Sequence, residues 1–241
     1  MLESYLRLKG KHTGENAFII GAGPSLYKEL TNKRLDNRIN DHVVVAVNSS
    51  CIIMDWDQGS SYKRYWISND ALCRRWSYWE GLKKSKCIKV VRDSWERYYK
   101  EIPDFLQFSP RPTSEGVINP EDEGLCYCSS VPSAVDLCLQ MGCKRVFVLG
   151  VDHSVLKGKT HFWQFFDTKD RPFRFDRGMA TLGEQNNAFR YNDLAYPALR
   201  GFADRLGAKV YNCNPNSRAI DVFDKIELEE ALRMASEDGT K

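Results

Sequence analysis

The chain has 241 residues and a formal net charge of +3, with 42% hydrophobic and 28% charged residues, an ordinary composition for a soluble globular protein. This length predicts a single domain over residues 1–241, with room for a small insertion. The charge is too small to indicate a nucleic-acid partner by itself, and no apolar run of about 18 residues predicts a membrane span.

The cysteines and the start of the chain predict a compartment. Residues 1–18 contain no long hydrophobic core before the first predicted strand, so we expect no secretory signal and a cytoplasmic protein. Several of the eight cysteines lie inside apolar segments, which favours reduced thiols over disulfides. The spacing of "CYC" at 126–128 is wrong for a zinc knuckle, and we expect its two cysteines to point to opposite faces of an extended segment.

Continuous apolar runs predict buried strands, because central strands of a parallel sheet are covered on both faces. In chain order these strands are expected at 17–20, 43–47, 64–68, 87–91, 145–151 and 209–213.

Helical patterns alternate with the strands. We expect helices over 132–142, over 193–207 with Pro197 in the first turn, and over 224–235. The polar segment 101–124 is expected to be a loop, and the longer segment 152–192 a lid, because it follows the strongest strand. Such alternation predicts an open α/β fold with a mostly parallel sheet, helices on both faces and a lid insertion.

Open parallel sheets bind ligands outside the carboxyl ends of their strands, so the residues that follow each strand are the candidates for a binding site. After the first strand comes a tight turn that can lead into a helix and offer free N–H groups to a phosphate. The turn consists of Gly21, Ala22, Gly23, Pro24 and Ser25. A turn of this kind that binds no ligand is the alternative, since a bare Gly-x-Gly is a weak signal.

Other predicted strand ends and one helix start also carry small polar residues. Amides can donate and accept at once, as contact with a nucleobase or a ribose requires, and serines before a helix can meet a phosphate. Asx turns and helix caps are the alternatives. These candidate nucleotide-binding residues are Asn48, Asn69, Ser129, Ser130, Asn214 and Ser217.

The strand at 145–151 ends in Asp152, His153 and Ser154, and His161 follows in the same loop. Asp152 and Ser154 are further candidates for nucleotide binding. Either histidine can serve as an acid or base near neutral pH, and a surface imidazole is the alternative.

Taken together, "IIGAGPSL", "VNSS", "ISND", "CSSVPSAVDLCLQMGCKRVFVLGVDHS" and "KVYNCNPNS" resemble, in this order, the motifs of small bacterial sialyltransferases that use CMP-sialic acid. The opening Gly-x-Gly-Pro-Ser-Leu also resembles a wider group that includes hydroxymethylpterin pyrophosphokinases. The sialyltransferase resemblance implies a Rossmann-like domain with a lid, no required cofactor or metal, and the candidate residues above around the nucleotide. It leaves a homo-oligomer open.

This sequence departs from the sialyltransferase pattern at three positions. Ala22 stands where the family has an amide, and Val131 where it has a glycine. The family's general-base histidine falls close to Arg190, where this chain has no histidine. His161 or His153 would then remove the acceptor's proton, and Arg190 would neutralise phosphate.

The leading expectation is therefore a glycosyltransferase-like enzyme with a nucleotide-linked donor, CMP favoured, and a glycan or small molecule as acceptor. One alternative is a diphosphokinase of the pterin type, with Mg²⁺ held by Asp70 and Asp152. Another is a nucleotide-binding module without catalysis. The basic segments at 73–76 and 83–86, with the aromatic residues around them, could stack bases, but a packed core below a solvated face is favoured, and nucleic acid is not an expected partner.

Overall fold

The computed structural model describes residues 3–56, 61–95, 105–111, 122–126, 128–170, 182–217 and 219–237; for 61, 95 and 182–192 only the backbone is described. Within these residues the chain forms a nine-stranded sheet in which all neighbouring strands are parallel. The sheet is open, and this confirms the predicted α/β fold. In sheet order its strands are β1 (Glu3–Ser4), β6 (Phe105–Phe108), β5 (Ile88–Arg92), β4 (Arg64–Ser68), β3 (Val43–Val47), β2 (Asn16–Ile20), β9 (Arg145–Leu149), β10 (Lys209–Asn212) and β11 (Asp224–Lys225).

The strands read as continuous apolar runs because both faces of the sheet are covered. In β3, Val43 and Val45 point into one core, whereas Val44 and Ala46 point into the other. On the first face lie α2 (Ser130–Gln140) and α3 (Leu182–Arg205). On the second face lie α1 (Trp79–Lys84), α4 (Leu228–Ser236) and several short 3₁₀ helices. Helices on both faces were predicted.

All three predicted helices differ from their expected bounds, and α4 begins at Leu228 rather than at 224. Helix α2 begins at Ser130 rather than at 132. Pro132 is tolerated in its first turn because the N–H groups there have no partner within the helix. Helix α3 is 24 residues long, so Pro197 lies well inside it. The prediction that Pro197 lies in the first turn was wrong. The sequence did not predict the earlier start of α3 because residues 182–192 are mostly polar.

Several short strands were not predicted. The sheet strand at Phe105–Phe108 falls in the expected loop 101–124, and Asp224–Lys225 pairs with β10 where the start of a helix was expected. A further pair, β7 (Pro110–Arg111) and β8 (Leu125–Cys126), forms a separate two-stranded sheet. Strands of two to four residues are too short to show a periodicity.

The structure also tests two expectations about side chains. The sulfur atoms of Cys126 and Cys128 lie 3.9 Å apart, so they share a side of the chain rather than pointing to opposite faces. Residues two apart in an extended segment point the same way, and the prediction was wrong on this ground. Among the aromatic residues around the basic segments, Trp66 and Trp79 are buried with ring centroids 6.1 Å apart, as a packed core requires.

The region expected to form a lid begins with a well-packed segment. Phe162 and Trp163 are buried in the second core, and the Phe162 N–H donates to the Ala22 carbonyl over 3.1 Å. Residues 171–181 lie outside the described part of the chain, so the lid stays a prediction. Among the described helices, none has both the length and the apolar character for crossing a membrane.

Candidate functional site

The order of the strands creates a switch point beside β2. The chain runs from β2 outward through β3, β4 and β5 on one side, then returns to place β9 and β10 on the other. In such sheets the crevice for a ligand forms at the carboxyl ends of the strands where the direction of winding changes. The residues that follow β2, β3, β4, β9 and β10 all lie at this edge.

At the centre of the edge, Asp152 joins three chain segments. Its carboxylate accepts hydrogen bonds from the Ser25 N–H at 2.7 Å and the Ser25 hydroxyl at 2.5 Å. It also accepts one from the Asn214 side-chain amide at 2.7 Å. Asp152 is 3% exposed, so these donors replace the water that a buried carboxylate would otherwise need. We call Ser25, Asp152 and Asn214 the Asp152 cluster.

The glycine turn is tight because it packs against the end of β9. The N–H groups of Gly21 and Gly23 donate to the carbonyls of Leu149 and Gly150 at 2.8 and 2.7 Å. A Cβ on Gly23 would lie 2.6 Å from the Asp152 carboxylate, and one on Gly21 would collide with the Gly150 carbonyl. Neither glycine has a positive φ, so the turn requires the absence of a side chain and not an unusual backbone.

A second cluster lies on the β3 and β4 side. The Ser130 hydroxyl accepts the Asn69 N–H at 2.8 Å and donates to the Asn48 side-chain oxygen at 3.2 Å. The Asn69 amide nitrogen donates to the hydroxyl of Ser133 at 3.0 Å. Ser133 was not among the predicted site residues. The first turn of α2 is thus tied to the ends of two strands. We call Asn48, Asn69 and Ser130 the Ser130 cluster.

Some polar groups at this edge are not used by the protein itself. Within the described residues, the Asn48 side-chain nitrogen and the hydroxyls of Ser129 and Ser154 have no hydrogen-bond partner. Ser129 precedes α2 as its N-cap, but its side chain makes no capping bond. Asn48 has φ of +53°, a left-handed conformation that asparagine tolerates better than most residues. These three groups are available to a ligand.

The remaining candidate site residues lie outside these two clusters. Pro24 is buried as the first residue of a 3₁₀ helix, Pro24–Glu29. Ser217 is 4% exposed and its hydroxyl donates to the Val151 carbonyl at 2.8 Å, which holds a loop in place. The backbone of Arg190 lies in α3, and its side chain is outside the described part of the chain.

The two candidate magnesium ligands do not form a pair. The Asp70 carboxylate accepts the Leu72 N–H at 2.8 Å and caps a short 3₁₀ helix, while Asp152 is occupied by its cluster. Asp70 follows β4 and Asp152 follows β9, and three strand spacings separate these strands, about 14 Å in all. Among the described residues no group of three or more metal-ligating side chains occurs.

His153 lies directly after the Asp152 cluster and faces a carboxylate. Its Nδ1 atom is 3.0 Å from Asp193 Oδ1 on α3, and its side chain is only 8% exposed. Burial lowers the pKa of His153 below its ordinary value, and Asp193 acts in the opposite direction. His153 is therefore neutral near pH 7, as a base must be. Its φ of +47° is uncommon outside glycine.

His161 lies beside the glycine turn but in a different environment. Its Nδ1 is 3.0 Å from the Thr160 hydroxyl, and its ring stacks obliquely on Trp163 with centroids 5.3 Å apart. Burial lowers the pKa of His161 to about 4. A base whose conjugate acid is this strong takes a proton poorly at neutral pH, so His161 fits the catalytic role less well than His153.

Sequence reasoning missed Asp193 and Tyr196, which lie on one side of α3 facing His153. The ring of Tyr196 is 6.1 Å from that of His153, and its buried hydroxyl has no hydrogen-bond partner among the described residues. No local signal could have found them, since some 40 residues separate them from the histidine.

Comparison with known proteins supports the fold. No family model matches the chain, and no curated protein matches it. Among solved structures, the Maf glycosyltransferase from Magnetospirillum magneticum AMB-1 is similar with a TM-score of 0.56 and 13% identity, over 98% of this chain and 40% of that chain. The chain thus spans well under half of that protein's length.

The sialyltransferase CstII from Campylobacter jejuni, in complex with the substrate analogue CMP-3FNeuAc, gives a TM-score of 0.47 at 15% identity, over 88% of this chain and 86% of that chain. The same enzyme in complex with a trisaccharide acceptor and CMP gives 0.45 at 16% identity, over the same shares. The expected kinship with pterin pyrophosphokinases finds no support among these structures.

Proposed function

We propose that this chain is a transferase that binds a nucleotide-activated donor at the carboxyl edge of its sheet, and that it acts as a glycosyltransferase. The observation that carries the proposal is a set of polar groups at this edge that have no partner among the described residues: the Asn48 amide nitrogen and the hydroxyls of Ser129 and Ser154. They lie at a switch point where open α/β sheets bind ligands. The Ser130 and Asp152 clusters hold their neighbours rigidly.

The arrangement suits a ligand with both a base and a phosphate. An amide at the end of β3 can recognise the polar edge of a base or a ribose. Ser129 and the first N–H groups of α2 can stabilise the negative charge of a phosphate. The resemblance of the motifs to sialyltransferases makes CMP the favoured nucleotide, a sialic acid the favoured sugar and a glycan the favoured acceptor.

In the proposed reaction an acceptor hydroxyl attacks the activated sugar carbon. The new carbon–oxygen bond forms as the bond to the nucleotide phosphate breaks, and the phosphate leaves with the bonding electrons. His153 takes the proton of the hydroxyl, and a positioned base of this kind contributes about two to four orders of magnitude in rate. Donors at the α2 start receive the charge of the leaving phosphate.

Nucleotide binding can be tested by the shift of the melting temperature with CMP, CDP, UDP, GDP, ADP and ATP, with and without Mg²⁺. A ligand at one hundred times its Kd stabilises the folded state by about 2.7 kcal/mol, which such a screen detects. We expect CMP to give the largest shift, without dependence on Mg²⁺. A screen in which no nucleotide raises the melting temperature would contradict the proposal.

A matched pair of variants places the ligand. Asn48→Asp removes the free amide nitrogen and adds a negative charge at the site proposed for the anionic nucleotide, so we expect at least a tenfold weaker Kd for CMP. Asn37→Asp makes the same charge change at an exposed residue before β3 and should leave Kd unchanged. Equal affinities in both variants would move the site elsewhere. CMP binding without hydrolysis or transfer of a CMP-linked sugar would indicate a binding module.

A further inference from the structure

We infer that Asp193 is the positioning residue of the proposed base: it holds the imidazole of His153 in one orientation at the end of β9. The inference rests on the proposed function, since a base needs a reaction to serve. Asp193 touches His153 and not the reacting atoms, so it acts through the histidine.

The contact is one of charge and distance. Asp193 Oδ1 lies 3.0 Å from His153 Nδ1, although the ring N–H is not aligned with the oxygen as in a hydrogen bond. The nearby carboxylate favours the neutral tautomer with the proton on Nδ1, which leaves Nε2 to accept a proton. The imidazole is 8% exposed, whereas the carboxylate is 53% exposed, so the charged partner keeps contact with water while the ring is sequestered.

Helix α3, which carries Asp193, lacks one backbone hydrogen bond at this point. Pro197 stands four residues later inside α3, and a proline there removes the hydrogen bond to the carbonyl of Asp193. Tyr196, three residues after Asp193, lies on the same side of the helix and places its ring 6.1 Å from His153. The missing backbone hydrogen bond in α3 therefore falls at the residue that contacts His153.

The backbone of His153 supports a functional reading of the contact. A φ of +47° is costly for a residue with a side chain, and such strain persists where surrounding contacts impose it. Within the described part of the chain, Asp193 from α3 and the neighbouring Asp152 act on the ring, and both favour its protonated form. Loss of Asp193 should therefore lower the pKa of His153.

NMR of the histidine side chains tests the inference without a substrate. The chain has four histidines, and His153→Gln assigns the signal of residue 153 by its disappearance. In Asp193→Asn we expect the pKa of His153 to fall, because a carboxylate that favours the protonated ring is lost, and we expect its neutral tautomer to lose its preference for Nδ1–H. Asp204→Asn, on the same helix but paired with Arg200, should change neither property.

Activity supplies the second readout. If a CMP-linked donor is turned over, Asp193→Asn should lower kcat/KM at least tenfold and shift its acidic limb to lower pH, with the Kd for CMP unchanged. An unaltered His153 tautomer and pKa in Asp193→Asn would overturn the inference even if the enzyme is active. Altered values without activity on any donor would support the contact and contradict the proposed function instead.

Discussion

The carboxylate of Asp152 accepts both the backbone N–H and the hydroxyl of Ser25, at 2.7 and 2.5 Å, and so ties the end of β9 to the turn after β2. These two strands flank the switch point of the sheet. The two bonds therefore brace the carboxyl edge of the sheet at the switch point. The sequence predicted that Asp152 would bind a ligand, but its carboxylate instead accepts hydrogen bonds from within the protein.

Replacing Asp152 with alanine should destabilise the fold. The change leaves the N–H and hydroxyl of Ser25 and the amide of Asn214 without their acceptor, and unpaired buried donors are costly. We expect a loss of about 3 kcal/mol in the free energy of unfolding, measured by urea denaturation. Asp221→Ala removes an exposed carboxylate paired with Lys225 and should cost less than about 0.5 kcal/mol. Similar losses in both variants would argue against a bracing role for Asp152.

A pair of glycine substitutions tests the close packing of the turn. Gly23→Ala places a Cβ 2.6 Å from the Asp152 carboxylate and 2.7 Å from the Gly150 carbonyl, so we expect a loss of about 1–3 kcal/mol. Gly81→Ala, in α1, meets nothing within 4 Å and should stabilise by about 0.5–1 kcal/mol. The two melting temperatures should move in opposite directions. A neutral Gly23→Ala variant would show that the turn can relax.

Sequence patterns predicted the sheet well because the buried strands are long enough to show an uninterrupted apolar run. The bounds expected for Val43–Val47 and Arg64–Ser68 agree with the structure, and the strand ends gather at one edge as parallel pairing requires. The candidate residues Ser25, Asn48 and Asn214 lie at that edge for the same reason.

The sequence could not say which polar groups remain free. The roles of Asp152 and Ser217 as internal acceptor and donor depend on distant segments that only the fold brings near. The partner of His153 is likewise a residue on another helix, and the pKa of His161 depends on burial that no short pattern encodes.

The Ser130 hydroxyl should couple the strand ends to the start of α2. Ser130→Ala removes both the acceptor for the Asn69 N–H and the donor to Asn48, which frees the Asn48 side chain to rotate. We expect a loss of about 1–2 kcal/mol in stability and a Kd for CMP weakened about tenfold, measured by calorimetry. Ser236→Ala, at an exposed position in α4, is the matched control and should change neither quantity. Unchanged affinity in Ser130→Ala would remove this cluster from the binding site.

The stability of the protein should depend on pH through His161. Because burial lowers its folded-state pKa to about 4, the unfolded chain, with an ordinary value of about 6.5, binds more protons between these two pH values. The stabilising contribution is therefore fully present above about pH 6.5 and is lost as the pH falls toward 4. His161→Gln should reduce the drop in unfolding free energy between pH 7.5 and 4.5 by about 2 kcal/mol.

The other three histidines also have pKa values lowered by burial, so part of the drop will persist in the variant. Lys159→Gln, at a half-buried position two residues away, should show the full wild-type drop. Urea unfolding of the three proteins at both pH values measures the difference. If His161→Gln and the wild type lose the same free energy, the imidazole of His161 titrates as an exposed group. His161 would then regain its place beside His153 as a candidate base.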